Sequence, residues 1–167
     1  MGVSRPQPEQ PGPGQESVWD YPRPPRLEAV DAVIEIVLGE VTIAHADRAL
    51  RVLETSHPPT YYLPIAAFVQ GSLRPAAGHS LCEWKGDASY VDVAGGSVLA
   101  PRAGWMYLTP TPAFSGLVDH VAVYPAAMDR CTVDGEVVRP QPGGFYGGWI
   151  TARVTGPFKG EPGTLSW

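Results

Sequence analysis

The sequence predicts a mainly β, single barrel-like domain of short antiparallel strands with one or two short helices. Three observations carry that expectation. Glycine and proline number 19 each among 167 residues, nearly twice their usual share and too many breakers for a helix bundle. Short runs of Val, Ile, Tyr and Trp recur about every 8–12 residues between turn signals, a spacing that favours a barrel or sandwich over a βαβ array. The hydrophobic fraction of 44% suits a packed core, and a chain of this length buries roughly two-thirds of its unfolded surface.

Taken in order, residues 1–17 carry Pro6, Pro8, Pro11, Gly12, Pro13 and Gly14 among polar residues, the composition of a disordered leader. Residues 18–28 form an arm in which Trp19 and Tyr21 precede the Pro22–Arg26 run. An extended polyproline-type arm can lay both rings on the domain. Residues 29–140 form the β core. Val33–Val37 and Val41–Ala44 flank Gly39-Glu40 as a hairpin with a two-residue turn. Arg48–Glu54 reads as a strand with Leu50, Val52 and Glu54 on one face and Arg51 on the other, or as a helical turn, and Pro58-Pro59 ends it in either case. Pro64–Val69 has a proline in its first turn and reads as a short helix. Tyr90–Val93, Val98–Ala100, Trp105–Leu108 and His120–Tyr124 are further strands, and Cys131–Val133 turns at Asp134-Gly135 into Glu136–Val138. Residues 141–167 are a glycine- and aromatic-rich tail expected to pack on the core.

The net charge of −5 with no basic run argues against nucleic acid or an anionic membrane as the partner. No run approaches the length of a membrane span, and Met1–Gln15 lacks the apolar core of a signal peptide. Cys82 and Cys131 stand alone without CxxC spacing, so no metal site is expected. The simplest reading is a cytoplasmic protein with two reduced thiols. Nothing matches a phosphate-binding loop, a zincin helix or a nucleophile elbow, and no cofactor is implied.

The chemistry concentrates in a few places. The chain has only two lysines, in Trp84-Lys85-Gly86 and Phe158-Lys159-Gly160. A ring before and a glycine after suit a positioned ammonium for a carboxylate or phosphate, or a lysine snorkelling over its neighbour. Glu54 ends its strand on the apolar face, where a carboxylate needs a partner; with the arginines read as loop or outward residues, Lys85 is the expected one. His57, in a rigid proline turn, could serve as a general base or be a loop bystander. Tyr61 and Tyr62 point to opposite sides if extended, so one of them reaches a pocket. Trp105 and Tyr107 share a face, which lines a cavity or fills a core. Tyr146 stands in the glycine-rich tail.

Several spaced motifs resemble a bacterial family of domains of unknown function, number 427. They are Glu-Thr-x-x-Pro-Pro-x-Tyr-Tyr-x-Pro from Glu54, Cys-x-x-Lys-Gly from Cys82, Ala88-Ser89-Tyr90 and Trp105-x-Tyr107. The likeness covers roughly Ala29–Val138. The tail resembles longer members. The resemblance implies a β-tent-like fold whose sheets enclose a central cavity. Relatives of that architecture often bind zinc through paired CxxC knuckles, which this chain lacks. A nucleotidyltransferase label attached to the family would need a Gly-Ser start followed by paired aspartates. Gly71-Ser72 and Gly96-Ser97 have no such sequel, and Asp92 is alone.

These readings point to a small-molecule binder with a polar and aromatic pocket, and to an enzyme if Glu54 and Lys85 act as an acid–base pair without metal. Glu54 and Lys85 are the candidate catalytic residues; His57, Tyr62, Trp105, Tyr107, Tyr146 and Lys159 are the candidate ligand contacts. The alternative is a non-catalytic interaction module that presents its proline-rich leader, and nucleotidyl transfer comes third.

Overall fold

The computed structural model describes residues 5–167. Thirteen strands appear in chain order: β1 (Glu16–Ser17), β2 (Arg26–Leu38), β3 (Val41–Leu53), β4 (Thr60–Pro64), β5 (Leu73–Cys82), β6 (Gly86–Gly95), β7 (Val98–Met106), β8 (His120–Val123), β9 (Arg130–Val133), β10 (Glu136–Val137), β11 (Arg139–Pro140), β12 (Trp149–Ile150) and β13 (Val154–Thr155). Nine make one antiparallel sheet in the order β10-β9-β2-β3-β4-β8-β7-β6-β5. Helix among the described residues is confined to four short 3-10 segments. The fold class is therefore the expected one, mainly β and antiparallel.

The β2–β3 hairpin turns at Gly39 and Glu40 with φ of 60° and 65°, the left-handed pair of a type I′ turn. Its strands run 13 residues each, where the sequence suggested shorter pieces. Asp31, Asp47 and Arg48 interrupt the apolar pattern but lie on the solvent side, so they do not end the strands. A bulge between Asp31 and Ile34 bends the hairpin. It frees the Val33 N–H, which donates to Asp134 Oδ1 at 2.7 Å. Val98–Ala100 and Trp105–Leu108 likewise belong largely to one strand, β7, which carries Pro101 and a left-handed Arg102. The edge strand β5 escaped the sequence reading because of Pro75 and Gly78. An edge tolerates proline, since its outward N–H has no ladder partner to lose.

The bent sheet folds its flanks together. Ile34, Ile36 and Leu38 of β2 and Ile43 of β3 pack with Val91 and Val93 of β6. At this contact a Cβ on Gly95 would sit 2.3 Å from the Leu38 carbonyl oxygen, so only glycine fits. Tyr61 joins this core and lies against Trp149 with ring centroids 5.0 Å apart. Tyr62 points the other way, into a second cluster with Trp105, Tyr107, Phe114 and Leu117. That alternation is the strand parity expected of β4.

Of the segment expected to be a disordered leader, residues 1–4 lie outside the described residues. The remainder is mostly exposed and is bonded to the C-terminal extension at a few points. The Glu9 N–H donates to the Gly156 carbonyl at 2.8 Å, and β1 pairs in parallel with β13. The arm buries Val18, Trp19 and Tyr21 against Leu53 and Val154. Its anchor is Arg51, which the sequence placed outward. Arg51 is only 8% exposed and bonds Glu16 at 2.8 and 3.1 Å and Glu28 at 2.7 and 3.0 Å. A guanidinium on the far face of β3 collects carboxylates from two passing segments, which its forked geometry suits.

Candidate functional site

The second cluster opens into a cavity of about 360 Å3, within the size range of ligand sites. β3 ends at its edge and delivers Glu54, the following turn His57, and β4 Tyr62. Trp105 and Tyr107 come from β7 and just beyond it, Lys85 from the β5–β6 loop, and Tyr146 and Lys159 from the C-terminal extension. Both lysines of the chain thus face one cavity.

The walls are aromatic and tightly positioned. The Trp105 indole N–H donates to the Tyr62 hydroxyl at 3.2 Å, and Tyr124 lies 4.6 Å from Trp105 between centroids. Burial raises the pKa of Tyr62, and likewise that of Tyr107, whose hydroxyl is held further by Tyr62. Both remain neutral phenols. The Lys85 loop is pinned from outside by Thr111, whose N–H donates to the Lys85 carbonyl at 3.0 Å and whose hydroxyl donates to the Trp84 carbonyl at 2.6 Å. The Lys85 ammonium stands 5.9 Å from the Tyr107 ring centre, and that of Lys159 5.5 Å from the Tyr146 ring centre, both cation–π contacts. Burial opposes charge on Lys85, whereas the polar surroundings of Tyr62 and Cys82 and the Glu54 carboxylate favour it, and its pKa lies above the ordinary lysine value. Lys85 keeps its proton.

Lys159 owes its place to two backbone contacts. Its N–H donates to the Ser56 carbonyl at 2.9 Å. The next residue, Gly160, crosses Pro142 so closely that a Cβ would meet the Pro142 carbonyl oxygen at 1.9 Å. Glycine after the lysine is therefore a packing requirement.

Glu54 has partners other than the one expected. Its carboxylate lies 3.6 Å from Arg23 of the arm and 3.6 Å from His57 Nε2, and Lys85 makes no ion pair with it within 4.0 Å among the described residues. The arm brings an arginine across in space that strand parity could not reveal. Lys85 and Glu54 still share the cavity, near enough for Glu54 to support the Lys85 charge.

His57 differs most from the sequence reading. Gln141, 4% exposed, accepts from the Gly148 N–H through Oε1 at 3.0 Å and donates through Nε2 to the Lys159 carbonyl at 2.7 Å. Those two bonds fix the amide orientation, so its NH2 group also faces His57 Nδ1 at 3.1 Å. Nδ1 must accept, which leaves the proton on Nε2, toward Glu54. Desolvation, and then the positive charges of Lys159, Arg23 and Lys85, push the His57 pKa down to about 3. With Nδ1 occupied and Nε2 protonated, His57 is a neutral hydrogen-bond donor, unsuited to act as a general base.

Gln141 was the main residue sequence reasoning missed, and nothing in Arg-Pro-Gln-Pro-Gly-Gly announces it. Tyr90 carried a usable signal, because β6 and β7 pair it directly with Trp105 and cross-strand partners share a face. Cys82, Trp84 and Tyr124 also line the cavity. Among the described residues no three His, Cys, Asp or Glu side chains converge as a metal site, and no helix is long and apolar enough to cross a membrane.

No curated protein matches the chain. Residues 26–134 match a protein-family model described as a domain of unknown function, DUF427. The matched stretch holds Glu54, His57, Tyr62, Lys85, Trp105 and Tyr107, while Gln141, Tyr146 and Lys159 lie beyond it. The match spans well over half of the sequence, and the chain therefore belongs to the DUF427 family.

Proposed function

We propose that this chain binds a small organic anion in the 360 Å3 cavity. The carrying observation is that its only two lysines, in a chain of net charge −5, both line that cavity. Lysine side chains beside aromatic faces suit a carboxylate, sulfonate or phosphate on a flat body. In this reading Lys85 and Lys159 hold the acidic group, and Tyr62, Trp105, Tyr107 and Tyr146 wall the body. His57 donates through Nε2–H. Glu54 and Lys85 are the pair that proton transfer in this cavity would use. Binding is the better-supported role, because Lys85 retains its proton and His57 does not accept one near neutral pH.

The alternatives rest on less. An interaction module built on a free proline-rich leader is less well supported, since Glu9, Gln15 and Glu16 bond to the C-terminal extension. For nucleotidyl transfer, the Ser72 hydroxyl donates to the Val69 carbonyl and Asp92 accepts from the Arg102 N–H, so both already have structural partners.

A thermal-shift screen against mono- and dicarboxylates, aryl sulfonates and phosphate esters, with amines and neutral compounds of similar size alongside, tests the proposal, since a bound ligand raises the melting temperature by mass action. Acidic hits should lose about tenfold or more in affinity in Lys85→Ala, as expected when a charge-assisted contact is removed. Hits confined to amines or neutral compounds, with affinity unchanged in Lys85→Ala and Lys159→Ala, would overturn it.

A further inference from the structure

A second cavity of about 310 Å3 adjoins the first and shares three of its walls, Tyr124, Gln141 and Tyr146. Its remaining surface has a different chemistry. Pro101, Pro125 and Pro140 present ring carbons, Ala126 and Ala127 present methyl groups, and Arg102 is the one charged side chain. Even Arg102 has its guanidinium 4.5 Å from the ring centre of Tyr90, a wall of the first cavity. Proline offers no N–H, so this surface has little to give a polar group and much to give an apolar one.

The boundary between the cavities is made of flat groups. Gln141 is held by its three hydrogen-bond partners, and Tyr124 is backed by Trp105. Tyr146 stands edge-on to His57 at 4.7 Å and to Phe145 at 4.9 Å, on the loop that follows Gly143 and Gly144. Both lysines thus line the first cavity, with Lys159 beside the shared wall Tyr146, while the prolines line the second, where Arg102 is the one charged side chain. Each cavity alone is near the lower limit of about 300 Å3 for a ligand site.

We infer that the second cavity is a subsite for the apolar end of an elongated, amphiphilic organic anion. The acidic group sits at Lys85 and Lys159, and an unbranched alkyl or aryl extension passes Tyr124 and Tyr146 onto Pro101, Pro125 and Pro140. The inference rests on the anion-binding reading of the first cavity and adds the shape and amphiphilic class of the ligand.

The test uses 4-alkylbenzoates from methyl to hexyl, titrated calorimetrically into the full chain. Affinity should rise about fourfold per added methylene. Ala127→Trp fills the second cavity from an exposed position on a short helical turn, and the gain with chain length should disappear in it. The double variant Lys85→Ala, Lys159→Ala should lose the whole series. Short benzoates that bind without any gain from length would overturn the subsite and leave the anion reading standing. A gain that survives Ala127→Trp but vanishes in Leu81→Ser, at the first cavity's 83%-exposed rim residue, would also overturn it, by placing the apolar end at the mouth. Failure of every member to bind overturns both readings.

Discussion

Replacing Gln141 with leucine tests the reasoning about the cavity floor most directly. The change keeps the side-chain volume close and removes three hydrogen-bonding contacts at once: Gly148 N–H, the Lys159 carbonyl and His57 Nδ1. An unsatisfied buried group costs about 1–3 kcal/mol. Gly148 is buried, whereas Lys159 and His57 are half-buried and regain water in part. The expected loss is therefore about 3 kcal/mol rather than the maximum for all three, which for a domain of this size lowers the melting temperature by about 6–12 °C. The imidazole supplies a second readout. In the wild type, long-range nitrogen–proton NMR should place the His57 proton on Nε2 with Nδ1 unprotonated at pH 7. Gln141→Glu puts a carboxylate oxygen against the Nδ1 lone pair, a repulsion that protonation of Nδ1 relieves, so the His57 pKa should rise well above its depressed value of about 3. A wild-type ring carrying its proton on Nδ1, or a Gln141→Leu protein as stable as the wild type, would refute the proposed orientation of the amide.

Three further outcomes are expected. The folded-state pKa of His57 is depressed from 6.5 to about 3, so the associated stability is complete above pH 6.5 and is lost as pH falls toward 3; urea midpoints should drop between pH 7 and 5, and a His57→Asn variant should be flatter over that window. Deletion through Gln15 should cost little, whereas deletion through Pro25 removes buried Val18, Trp19 and Tyr21, with each ring worth roughly 2–3 kcal/mol at most; equal melting temperatures for the two truncations would contradict a docked arm. Gly95→Ala forces a Cβ to within 2.3 Å of the Leu38 carbonyl oxygen and should destabilise by about 1–3 kcal/mol, a loss measurable by chemical denaturation and absent if the two hairpins do not touch.

Local signals account for much of the fold. Paired left-handed turn residues mark Gly39-Glu40 and Asp134-Gly135, and strand alternation separates Tyr61 from Tyr62, because turn geometry and side-chain parity are properties of a few consecutive residues. The same locality explains the omissions. The edge strand β5 contains Pro75 and Gly78, whose acceptability depends on having no neighbour on one side, and that is a fact about the whole sheet.

The sequence by itself singled out Lys85 and Lys159, since the scarcity of lysine and the flanking rings and glycines are visible without coordinates. It pointed to Glu54, His57, Tyr62, Trp105, Tyr107 and Tyr146 only as candidates, through strand parity and local motif. Only the tertiary structure decided their partners. Arg23 reaches Glu54 because the arm docks beside β3, Arg51 is buried because Glu16 and Glu28 converge on it, and His57 loses its role as a base because Gln141 arrives from 84 residues away. Ion pairs and tautomers depend on distances of a few ångströms between segments far apart in sequence, and local pattern carries no information about those distances.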